Sequence, residues 1–116
     1  MPESERPPST DEIAAEAMSS AAGKLRLQTT HSQLWEMFER QQFNTDRAVD
    51  AFSAAIHWAV WESVRRRSDG RKLYGDFKRS HAAPRMAQMF AEQFKRDTGA
   101  YDQRQPRRWL RFLLGP

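Results

Sequence analysis

The apolar residues of this chain recur every three or four positions, which is the spacing of one face of an α-helix. Ser9 and Glu12 form a capping box, so we expect the first helix to begin there and to run through Ile13 to a stop at Gly23. Asp69-Gly70 lies in a charged stretch, and no glycine-containing turn separates two alternating runs. The pattern therefore predicts helices throughout and no β-strand.

The middle of the sequence predicts the longest helix. Thr30 and Gln33 form a second capping box, which opens a helix that ends near Gln42. Asn44 or Thr45 then caps a helix of about 24 residues, 46–68, in which apolar side chains occupy most of the circumference. Because a surface helix needs only one apolar face, we expect this helix to lie at the centre of the fold.

The second half predicts three shorter helices. The first directs three apolar residues inward: Leu73, Tyr74 and Phe77. The next has Pro84 in its first turn, stops at Gly99 and presents an apolar face of Met86, Met89, Phe90 and Phe94. Pro106 opens the last, 106–114, whose arginines point outward while its apolar face docks through Trp109, Phe112 and Leu113.

These elements predict an all-α fold, a compact bundle of about five helices around one long central helix. At 116 residues the chain has room for one core, so we expect a flexible N-terminal arm over 1–8 and a single helical-bundle domain over 9–116. The longest uncharged stretch near the centre, Ala51 to Trp61, is too short to cross a bilayer. The absence of cysteine and the acidic, proline-rich N-terminus favour a cytoplasmic location.

Charge is distributed unevenly along the chain. Residues 1–64 carry five Lys/Arg against ten Asp/Glu, a net charge of −5, whereas residues 65–116 carry fourteen against five, a net charge of +9. Such a difference in net charge between the two halves of a small protein favours a surface that binds a polyanion. The alternative is a basic surface that is merely solvated.

Phosphate groups on nucleic acid are contacted mainly by arginine and lysine, which position a protein without reading the base sequence. The candidates for these contacts are Arg65, Arg66, Arg71, Lys72, Lys78, Arg79, Arg85, Arg104, Arg107, Arg108 and Arg111. Nearby aromatic side chains that could stack on bases are Tyr74, Tyr101 and Trp109. For Trp109 the alternative is a core anchor, since its neighbours are apolar.

The sequence contains few candidate catalytic or metal-binding residues. The three histidines, His31, His57 and His81, are far apart and have no metal-ligand spacing. We interpret His57, which lies beside Trp58 on the central helix, as a partly buried histidine satisfied by one hydrogen bond rather than a catalytic base. No glycine-rich phosphate loop is present. We therefore expect neither enzymatic activity nor a metal or other cofactor.

One family resemblance rests on three segments: Leu34-Trp35-Glu36-Met37-Phe38, the alanine-rich stretch 48–67, and the segment 90–96 that ends in Lys95-Arg96. In shape and composition the chain resembles, over residues 30–114, the small subunits of CRISPR effector ribonucleoprotein complexes. The resemblance implies a non-enzymatic helical bundle that stacks with copies of itself and with larger subunits. It also implies contact with the backbone of a guide RNA or target strand.

A second class of function stays open. A phage- or plasmid-type helical protein-interaction module, acting as an inhibitor or adaptor, would present the same basic surface to an acidic protein partner.

Overall fold

The computed structural model describes residues 8–103, and within that range it contains five α-helices and no strand. The helices are α1 (Thr10–Ser19), α2 (Ala21–Glu39), α3 (Thr45–Val64), α4 (Gly70–Arg79) and α5 (Ala82–Thr98). The predicted all-α class is confirmed. The predicted helix 106–114 and almost all of the predicted N-terminal arm lie outside the described residues.

The centre of the bundle is α3, as the apolar pattern predicts. It packs against all four other described helices, and its buried residues are Ala48, Phe52, Ala55, Ile56, Ala59, Val60 and Val64. The three alanines and two valines among them let neighbouring helices approach closely, while aromatic rings fill the remaining space. Phe52, for example, stacks on Phe90 of α5 with ring centroids 5.6 Å apart.

The ring pairs also give the helix directions. Arg26 lies over Trp58 and Phe38 contacts Phe43, so α2 runs antiparallel to α3. Lys95 donates a hydrogen bond to Thr45, near the start of α3, and Phe90 meets Phe52 one helical turn or more further on. Hence α5 is also antiparallel to α3, and α2 and α5 point toward the same end of the bundle.

The predicted boundary between the first two helices is wrong. The break falls at Ser20, whose hydroxyl caps α2 by accepting a hydrogen bond from the Gly23 N–H. Gly23 therefore opens a helix instead of ending one. Thr30 lies inside α2 and is buried. Its hydroxyl donates a hydrogen bond to the carbonyl of Arg26, one turn earlier in the same helix.

Gly23 has a packing role that predicts a destabilising substitution. A Cβ built at this position would lie 2.0 Å from the Ala17 carbonyl oxygen, a backbone atom that can move only with α1. We expect Gly23→Ala to lower the free energy of unfolding by about 1–3 kcal/mol. Gly75→Ala is the matched control: its Cβ would meet only the mobile Arg79 guanidinium, so alanine should stabilise α4 by about 0.5–1 kcal/mol. Urea unfolding of both variants tests the pair, and equal effects would contradict the packing role.

The start of α3 was predicted correctly from the sequence, but its end was not. Asn44 caps its start by accepting a hydrogen bond from the Arg47 N–H, as predicted. The helix ends at Val64, four residues before the predicted end. A turn follows, in which the Arg67 N–H donates to the Val64 carbonyl and the Gly70 N–H donates to the Arg67 carbonyl, and the side chains of Arg67 and Asp69 form two further hydrogen bonds of 2.8 and 3.2 Å.

Beyond α5 the chain is tied to the start of α3. Gly99 ends α5 with a positive φ of 75°, as the predicted stop requires. The Asp102 carboxylate then accepts hydrogen bonds from the N–H and hydroxyl of Thr45, and the Thr45 hydroxyl bond lowers its pKa. Gln103 exchanges hydrogen bonds with the backbone of Phe43. These bonds hold Asp102 and Gln103 against the start of α3.

Candidate nucleic-acid interface

The outer face of α4 carries the basic residues that the sequence singled out. Leu73 and Phe77 are buried against α3, so the opposite side of this short helix faces solvent. Its exposed cations form two pairs seven residues apart, which places them on one helical face: Arg71, Lys72, Lys78 and Arg79. Arg65 and Arg66, exposed in the turn that precedes α4, extend this surface. We call these six residues the α4 basic face.

Carboxylates neutralise part of this surface. Glu62 pairs with Arg65 at 3.2 Å, and Asp76 pairs with Arg79 at 2.5 Å. Asp69 pairs with Arg67, whose hydrogen bond is the main reason that the pKa of Asp69 lies below its ordinary value. Counting Arg67, seven cations face four carboxylates in this region, the fourth being Glu16 of α1 near Arg67, so the surface keeps a net charge of about +3.

Four members of the face have no ion pair with any carboxylate in residues 8–103: Arg66, Arg71, Lys72 and Lys78. Lys78 lies over the ring of Tyr74 at 4.9 Å, a cation–π contact that keeps its charge at the surface. Exposed ion pairs contribute little and exchange readily. The unpaired cations are therefore the groups best placed to bind phosphate.

The start of α4 adds to the positive potential. No acidic side chain lies in its first turn, and Asp69 makes no side-chain capping bond to it. Two cations occupy the first turn, where the positive end of the helix dipole disfavours positive charge. The Asp69 carboxylate relieves part of that repulsion, since the charge of Lys72 helps to lower the pKa of Asp69, and an anion near Arg71 would relieve more of it.

His57 does not add to the charge of this region. Its ring is half-buried between α3 and α4 and meets Phe77 edge-on at 5.7 Å and Tyr74 at 6.3 Å. Burial, and to a smaller extent the Lys78 ammonium, lower the pKa of His57 below its ordinary 6.5. The imidazole is therefore neutral at pH 7. The interpretation as a partly buried histidine holds, although packing against rings rather than a hydrogen bond fixes its place.

Arg85 lies apart from the α4 basic face. It is in the first turn of α5, and its guanidinium approaches the Asp11 carboxylate of α1 at 3.9 Å. The partner lies 74 residues earlier in the chain, which explains why the charge pattern alone could not reveal it. The other four candidates, Arg104, Arg107, Arg108 and Arg111, lie outside the described residues.

The described body is almost neutral as a whole. Residues 8–103 carry fourteen Lys/Arg and thirteen Asp/Glu, whereas residues 104–116 carry four arginines and no acidic residue. Acidic residues of α1 lie near Arg67 and Arg85. The positive charge of the body is concentrated on the α4 basic face.

Residues 8–103 contain no group of three or more His, Cys, Asp or Glu side chains arranged to hold a metal ion. In the same range, no helix combines the length and apolar composition needed to cross a membrane. Comparisons with protein-family models, with curated proteins and with solved structures found no match to this chain.

Proposed function

We propose that this chain is a non-enzymatic protein that binds the backbone of nucleic acid through the α4 basic face. The observation that carries the proposal is the set of four exposed cations on that face that form no salt bridge within the described residues. Phosphate contacts of this kind supply affinity and little base specificity. The protein should therefore bind strands of unrelated sequence equally well.

Within that function we propose the finer role that the family resemblance implies. The chain would act as a structural subunit of a CRISPR-type ribonucleoprotein complex, contacting guide RNA or target strand and stacking with copies of itself and larger subunits. The bundle around a central helix and the α4 basic face support this role. A face on one short helix covers only a few phosphates, so a continuous groove would need several copies side by side.

A salt titration tests the proposal. Binding of the full chain to single strands of equal length and unrelated sequence is measured by fluorescence anisotropy between about 50 and 300 mM salt. If the four unpaired cations contact phosphates, the logarithm of the binding constant falls against the logarithm of salt concentration with a slope of about −3 or steeper. Affinity should be equal for the different sequences.

Two results would count against the proposal. Binding that is insensitive to salt would exclude phosphate contacts. Absence of binding to single strands and duplexes, together with binding to an acidic protein, would favour the protein-interaction module instead.

A further inference from the structure

Two aromatic rings border the α4 basic face on its α3 side. Trp61 of α3 and Tyr74 of α4 lie with their ring centroids 5.3 Å apart, across the line where the two helices meet. Both side chains are half-buried, and both pack against the margin of the core. The pair therefore lies partly at the surface, beside the cations that the proposed function uses.

Trp61 lies on the outer side of α3. It follows the buried Phe52 by nine residues, and at about 100° per residue this places the two on opposite sides of the helix. Every buried side-chain nitrogen or oxygen in the described residues has a hydrogen-bond partner. The Trp61 indole N–H has no such partner there, so this edge of the ring reaches solvent. Trp61 is therefore accessible to a ligand without any change in the core.

Tyr74 has more neighbours than Trp61. The Lys78 ammonium lies over its ring at 4.9 Å, and the His57 ring meets it edge-on at 6.3 Å. Within residues 8–103, the only ring that Trp61 contacts is Tyr74. Tyr74 therefore supports the Trp61 ring from one side, and Trp61 is the ring with room for a further partner.

Three cations of the α4 basic face surround the ring pair, and all three are exposed. Arg65 follows Trp61 by four residues, so it lies beside that ring. Arg71 and Lys78 lie three residues before and four residues after Tyr74. Proteins that bind single strands combine cations that follow the phosphate backbone with aromatic rings on which bases stack. The junction of α3 and α4 brings both kinds of group together.

We propose that Trp61 is a stacking site for one unpaired base, which makes single-stranded nucleic acid the ligand of the α4 basic face. The inference rests on the proposed phosphate binding and adds to it the form of the nucleic acid. In a duplex, each base is stacked between its neighbours, and the grooves expose only its edges. In a single strand, a base can lie on an aromatic ring. Stacking tolerates every sequence because each base has a π-face.

A strand without bases tests the proposal on the unsubstituted protein. Binding of the full chain at about 0.1 M salt is measured by fluorescence anisotropy. The three probes have the same number of phosphates: a mixed-sequence single strand, an abasic single strand and a hairpin duplex. Stacking of one base should make the mixed-sequence strand bind about 5-fold to 150-fold more tightly than the abasic strand.

Trp61→Leu removes the ring and keeps an apolar side chain at the margin of the core. It should weaken binding of the mixed-sequence strand by the same factor, and leave binding of the abasic strand and the duplex unchanged. Trp58→Leu is the matched control, because Trp58 is half-buried on the same helix but has the Arg26 guanidinium over its ring at 5.0 Å. This control should leave the affinity for all three probes unchanged.

Three outcomes would overturn the stacking site. Equal salt-dependent affinity for the mixed-sequence and abasic strands would show that Trp61 only packs α4 against α3, and would leave the proposed phosphate binding intact. A loss in Trp61→Leu that is equal for all three probes would have the same meaning, since only stacking distinguishes the probes. Absence of salt-sensitive binding to every probe would overturn the proposed function together with the stacking site.

Discussion

The Phe43→Ala substitution should lower the free energy of unfolding by about 3–5 kcal/mol, because it leaves a cavity where three parts of the chain meet. Phe43 is fully buried. Its ring stacks on Phe94 of α5 at 5.4 Å and meets Phe38 of α2 edge-on at 6.1 Å. Its backbone also bonds Gln103. Urea unfolding monitored by circular dichroism measures the loss.

Met89→Ala provides the control for that experiment. Met89 is another large apolar side chain but is 71% exposed, so its truncation should change stability by less than about 0.5 kcal/mol. A loss below about 1 kcal/mol for Phe43→Ala would contradict the packing described for this end of the bundle.

Removing three unpaired cations from the α4 basic face should weaken nucleic-acid binding by about 100-fold to 500-fold at 0.1 M salt, since each lost phosphate contact costs about fivefold to eightfold there. The variant carries Arg66→Ala, Arg71→Ala and Lys72→Ala. The salt slope should become less negative by about 2–3. All three side chains are exposed, so stability should stay within about 0.5 kcal/mol of the unsubstituted protein.

A second triple variant separates location from total charge. Arg40→Ala, Arg47→Ala and Arg96→Ala remove the same number of charges from exposed positions near the opposite end of the bundle. Affinity for the strand should fall far less than in the first variant. Only the long-range electrostatic attraction between the protein and the strand is reduced. Equal losses in the two variants would show that net charge, and not the α4 basic face, determines binding.

Much of the fold could be predicted because its signals are local. Ser9 and Asn44 cap helices through bonds to residues three positions away, and the nearly continuous apolar surface of α3 requires a central position. The Thr30–Gln33 pattern failed because a threonine hydroxyl can also bond back to a carbonyl within a helix. The break at Ser20 has a local signal that the prediction missed, since the Ser20 hydroxyl accepts a hydrogen bond from the Gly23 N–H three positions on; only the close packing of Gly23 against Ala17 depends on the fold.

The candidate site, too, could be predicted from the sequence only in part. Spacing along α4 was enough to place Arg71, Lys72, Lys78 and Arg79 on one face. The pairing of Arg85 with Asp11 and the exposure of Met89 both depend on how distant helices pack.

The most direct test of phosphate binding is an NMR titration of the full chain with a short single strand, observing the Nε–Hε signals of arginine side chains. The signals of Arg66 and Arg71 should shift progressively with added strand. Those of Arg40, Arg47 and Arg96 should stay in place. Binding accompanied by shifts at Arg40, Arg47 and Arg96, with Arg66 and Arg71 unchanged, would contradict the α4 basic face as the interface.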